Sequence, residues 1–164
     1  MLPFGLGDSP ATCPAGLLGM LYIDFSNGNH YRLCKNTSAA ALDPGVGVTL
    51  ETPASYYVDL VVSDEPVFGV VNAAKYTGST IAVNDYFWVL EKGMGYVSKG
   101  LATGSAAIAA AAWLESRSLG CFAQVGAVTS GGKSITALIR GGRLIHACSS
   151  VASSATTRVL AYLT

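Results

Sequence analysis

Charge is what this sequence has least of. Asp, Glu, Lys and Arg make up 12% of its 164 residues, ten of each sign, against about 25% in ordinary soluble domains. No segment gathers Lys or Arg into the basic stripe that phosphate-backbone binding requires, so nucleic acid is not an expected partner. Histidine is scarcer still. His30 and His146 have no acidic residue at metal-ligand spacing, and His146 with Cys148, two apart in a strand-like run, lacks a third ligand. Cys13, Cys34, Cys121 and Cys148 are spread along the chain with no CxxC, which argues against a zinc ribbon or a thiol redox motif. Buried free thiols are the ordinary reading of such cysteines, with a disulfide between distant strands left open.

Long apolar runs are also missing. The longest Ala-rich stretch, "AAIAAAAWLE", falls far short of the roughly 20 residues that span a bilayer, so no membrane anchor is expected. The N-terminus lacks a positive n-region and carries Asp8 ahead of "GLLGML"; it fails as a signal peptide and implies folding in a cytoplasm.

Catalytic patterns fail one by one. "G-x-S-x-G" is absent. "AVTSGGKS", residues 127–134, imitates a phosphate loop, but a helix must begin at its Lys, and the β-branched "SITALIR" follows Lys133. It reads as a Gly-Gly hairpin turn. Asp64 and Glu65, ahead of Pro66, read as a solvated turn because paired catalytic carboxylates must face one gap. The expectation is a protein that is not an enzyme, with no catalytic residues, no cofactor and no metal site.

What remains is apolar and β-rich: 51% of the residues are hydrophobic. Residues 1–19 hold four Gly and three Pro among scattered Leu and Phe, a composition suited to an extended arm. "GMLYIDFSNGNHYRLCKN" follows, and its Asn27-Gly28 is the type I′ hairpin signal. From there short β-branched or aromatic runs alternate with turn clusters, which indicates one small antiparallel β-barrel or sandwich domain over residues 20–164. "GSAAIAAAAWLESRS", residues 104–118, is the one helical candidate, a short Ala-rich helix capped by Ser105.

Within the β region "DYFWVLEKG" poses a problem of cover. Alternation sends Tyr86, Trp88 and Leu90 to one face and Phe87 and Val89 to the other, so both faces are apolar. This strand belongs to a core or to a subunit interface. One face suits a domain interior; the second needs the Ala-rich helix, a neighbouring subunit or the chain's own loops.

The order of segments carries a resemblance. "LGMLYIDFSNGNHYRLCKN", "PVFGVVNAAKY", "IAVNDYFWVLEKGMGYV" and "ASSATTRVLAYL" resemble the "G-N-x-Y-R" hairpin, the "G-V-x-N/Q-A" strand, the "A-x-N/G-D-Y-x-W-V" strand ending in "K-G" and the terminal "A-x-T-x-V" strand of capsid decoration, or cement, proteins of tailed bacteriophages. The similarity covers about four fifths of the chain. The Ala-rich stretch and residues 1–16 depart from it. The resemblance implies a virion structural protein, made in the host cytoplasm and bound to the capsid exterior, where it stabilises the shell. Its partners would be the major capsid protein and itself, as a homotrimer first and a dimer second. The arm's Leu2, Phe4 and Leu6 are candidate capsid contacts. The alternative is a carbohydrate-binding or adhesive β-module of a virion, with Tyr56, Tyr57 and Trp113 as stacking platforms.

Overall fold

A computed structural model describes residues 2–52, 54–61, 66–76 and 79–99, with side chains to 96, and the backbone of four further strands beyond them. The expected hairpin joins β1 (Leu21–Asp24) to β2 (Asn29–Asn36), in the register Asp24 opposite Asn29. Its turn is longer than the two-residue type I′ form. The loop spans residues 25–28, and of the Asn27-Gly28 pair only Gly28 takes a positive φ, 73°. The Asn27 and Gly28 amides both donate to the Asp24 carbonyl, at 3.3 and 2.8 Å. The cause is Asp24, whose carboxylate accepts from the Ser26 amide, the Ser26 hydroxyl and the Asn27 amide group. A side chain that bonds its own backbone two residues on sets the turn.

Four more strands follow: β3 (Gly47–Thr52), β4 (Tyr57–Leu60), β5 (Gly69–Val71) and β6 (Tyr86–Lys99). β2 pairs with β4, β4 with β3, β3 with β5, β5 with β6, and β6 returns to β2. The sheet is mixed rather than wholly antiparallel, because β2 and β4 run parallel through Lys35–Tyr57 and Asn36–Val58. A parallel pair needs a long crossover. Residues 37–56 supply it, with β3 folded into the connection.

Two buried layers lie on opposite faces of the β2–β6–β5 wall. Cys34, Val71, Phe87 and Val89 face inward with Val48 and Val58 from β3 and β4, joined by Leu42, Val46, Tyr76 and Ile81. Tyr31, Leu33, Val70, Trp88 and Leu90 form the other layer. Gly69 is required where β5 meets β6: a Cβ there would lie 2.5 Å from a Val89 methyl and 2.6 Å from the Leu90 carbonyl oxygen.

β6 outlasts this wall. Past Gly93 it pairs with β10 (Thr157–Leu163), which also pairs with β9 (Arg143–Leu144). β7 (Leu114–Ser116) pairs antiparallel with β8 (Phe122–Gln124), whose Phe122 lies beside Lys99 of β6. Residues 114–116 were expected in the Ala-rich helix and are strand instead. Pairing with a partner strand overrides a weak helical propensity. The remainder of that candidate lies outside the described residues, as do Asp64-Glu65, the "GGKS" turn, Cys121, His146, Cys148 and Trp113. Among the described residues no helix is long and apolar enough to cross a membrane.

Candidate interaction surface

The arm and the β6 strand meet. Phe87, Trp88, Val89 and Leu90 are wholly buried and Tyr86 partly so, which puts "YFWVL" in the core of its own chain. The inner face of the strand is covered by the opposing strands. The outer face is covered by the arm: Leu2, Phe4, Leu6, Cys13 and Leu17 pack on the Trp88 layer beside Met20 and Tyr22. The rings of Phe4 and Trp88 stand 5.9 Å apart, and Tyr22 meets the same indole edge-on at 6.2 Å. The candidate capsid contacts Leu2, Phe4 and Leu6 are therefore half-buried on this chain, which seats the segment expected as an extended arm.

The seat is lightly tied. The Tyr86 amide donates to the Pro10 carbonyl at 3.0 Å, and the Tyr76 hydroxyl reaches the Asp8 carbonyl at 3.4 Å. No residue from Leu2 to Met20 is fully buried. Trp88 Nε1, wholly enclosed, has no hydrogen-bond partner among the described residues. Where the arm joins β1, Gly19 takes φ 84° and a Cβ on it would lie 2.2 Å from the Tyr56 ring.

Buried amides fix the loops around the wall. Asn29 grips Met94 from both sides, its amide group donating to the Met94 carbonyl at 2.9 Å and its oxygen accepting from the Met94 amide at 2.8 Å. The Tyr31 hydroxyl joins Asn29 to Asn72. Asn36 donates to the carbonyls of Ile81 and Ala82 at 3.0 Å and accepts from the Ser38 amide and hydroxyl. Composition gave no hint of these three asparagines, although Asn36 before Thr37-Ser38 is an Asx-turn signal.

Apolar exposure concentrates at a few places. Phe25, at the hairpin tip, is 92% exposed on a turn pinned by Asp24. Met94 and Tyr96 on β6, Leu21, Val83 and Tyr57 are also exposed. Of the proposed stacking platforms, Tyr56 packs on Phe68 with the Arg32 guanidinium 5.6 Å from its ring centre. Tyr57 stays open, with the Lys35 ammonium 5.8 Å from its ring centre. Arg32 also pairs with Glu91 at 2.9 Å.

The titratable groups suit packing. Burial pushes the Cys34 thiol and the Tyr76 phenol well above their ordinary pKa values, and pushes the half-buried Cys13 thiol up as well. The Asp24 carboxyl is held below the usual range, chiefly by the Ser26 hydroxyl. Cys13 and Cys34 are free thiols. Among the described residues no three of His, Cys, Asp and Glu gather in a group that could hold a metal. His30 sits on β2 opposite Ile23 and Lys92.

No protein-family model matches the chain, and no curated protein matches it.

Proposed function

We propose that this protein is a capsid decoration protein of a tailed bacteriophage, a small β-barrel subunit that binds the outside of the major capsid shell. The observation that supports it most is the convergence of four segments scattered along the sequence. "NHYR" lies on β2, "GVV" on β5, "YFWVLEKG" on β6 and "TRVLAYL" on β10, and β6 pairs with each of the other three. The segments carrying the resemblance thus share one strand as their common neighbour. The circuit of pairings from β2 through β4, β3, β5 and β6 back to β2 supports the barrel, since closure removes sheet edges.

The work of such a subunit is a binding free energy. A clamp stabilises the state it binds, so expansion or rupture of the shell becomes less favourable while it is attached. That work calls for no catalytic residue, cofactor or metal. The unit on the shell is a homotrimer, with a dimer as second choice, because a cyclic assembly at a threefold joint repeats every shell contact around the axis. "DYFWVLEKG" gives no motive for oligomerisation, since its side chains through Leu90 are covered within the chain. The exposed Phe25, Met94 and Tyr96 are apolar surface for such contacts.

Co-sedimentation tests the reading. The purified chain should pellet with capsids of its source phage and raise the temperature at which they release DNA; a chain left in the supernatant at saturating capsid contradicts it.

A further inference from the structure

We propose that the N-terminal arm is an exchangeable strap: residues 2–15 of one copy take the arm's seat on the Trp88 face of a second copy and tie the two together. The occupant is defined by what already sits there. Leu2, Phe4, Leu6 and Cys13 fit this face in one chain, and every copy carries both the arm and the seat.

Three features make the strap detachable. Its hold is mostly side-chain packing, with the hydrogen bonds at Pro10 and Asp8 as polar ties to the body among the described residues. Among the described residues the enclosed Trp88 Nε1 has no acceptor, and a buried donor left unpaired weakens the state that buries it. A candidate hinge stands at the base of the arm: Gly16 takes φ 79°, a conformation glycine adopts without strain, and a Cβ built there would have nothing within 4 Å.

Exchange is also geometrically and electrostatically permitted. Residues 2–15, extended, reach about 45 Å, enough to cross to an adjacent copy of a domain this size. Asp8 is the one charged side chain on that stretch, so two arms crossing do not repel strongly. The swapped contacts repeat those made within one chain. The balance then depends on local concentration, and crowding copies side by side favours the linked form. None of this depends on the partner being a capsid.

A photo-crosslink in the full chain tests the strap. Phe4→benzoylphenylalanine is prepared in light and heavy-isotope forms, mixed in equal amounts at high protein concentration, equilibrated, irradiated and digested. The same probe at Leu6 guards against a bulky ring disturbing one position. The expected result is links from the arm to the peptide containing Trp88, some of them between chains, with about half of the between-chain links joining light to heavy once exchange is complete. Their share should fall on dilution. Links confined to the same chain at every concentration, or no link to the Trp88 strand from either position, overturn the proposal.

Discussion

Asn29 and Gly93 form one device at the point where β6 leaves the β2 wall. Gly93 takes φ 113°, and a Cβ on it would lie 2.2 Å from the Asn29 amide oxygen that holds Met94. Gly93→Ala therefore combines backbone strain with a clash, and urea unfolding should show a loss of about 2–4 kcal/mol. Asn36→Ala should cost about 2–3 kcal/mol in the same measurement, because it removes one donor from each of the Ile81 and Ala82 carbonyls and the acceptor of the buried Ser38 amide. Phe25→Ser should behave oppositely. An exposed side chain contributes little to folding, so stability should hold within about 0.5 kcal/mol while capsid attachment weakens; unchanged co-sedimentation would remove Phe25 from the contact. Cys34 and Tyr76 give the molecule a pH signature. Both folded-state pKa values are raised by burial, so the unfolded chain loses these protons first as pH rises. Stability is complete below the ordinary thiol pKa of about 8.5 and should fall from there upward, with Cys34→Val removing the thiol part. Little at this scale was legible in the sequence. An asparagine looks the same in a solvated turn and in a buried clasp, and only the fold decides which.

At the scale of elements, legibility followed the range of the forces. The β1–β2 hairpin was readable from Asn27-Gly28 between β-rich flanks, but its turn type was not, since the Asp24 carboxylate competes for the same backbone groups. Asn84 takes φ 70° in the turn just before β6, a conformation asparagine tolerates better than most residues. The two-faced burial of "YFWVL" followed from strand alternation alone, whereas its outer cover did not. The arm residues that supply it lie more than seventy positions before Trp88 in the sequence. Propensity misled at Leu114–Ser116, where pairing with β8 makes a strand of residues expected in a helix. The arm's role sets the test at this scale. Deleting residues 1–8 removes Leu2, Phe4 and Leu6 from the Trp88 layer, so the β-sheet circular dichroism should persist while tryptophan emission shifts to the red and capsid attachment weakens. Unaltered emission would show that the arm does not cover Trp88 in solution.

At the scale of the whole molecule, the described residues are mainly β, and the short β-branched runs alternating with turn clusters foretold that much. The circuit of pairings could not be foretold, because the β2–β4 pairing bridges a connection with another strand inside it. Light scattering addresses the assembly: a trimer is expected for the purified chain, and a stable folded monomer at micromolar concentration would contradict it. The function is tested most directly by electron cryomicroscopy of the source particle. Density for this β domain is expected on the outer surface of the shell, repeated at the joints between major capsid proteins. A shell whose exterior carries no such density, in particles shown by mass spectrometry to contain the chain, would contradict the proposed function.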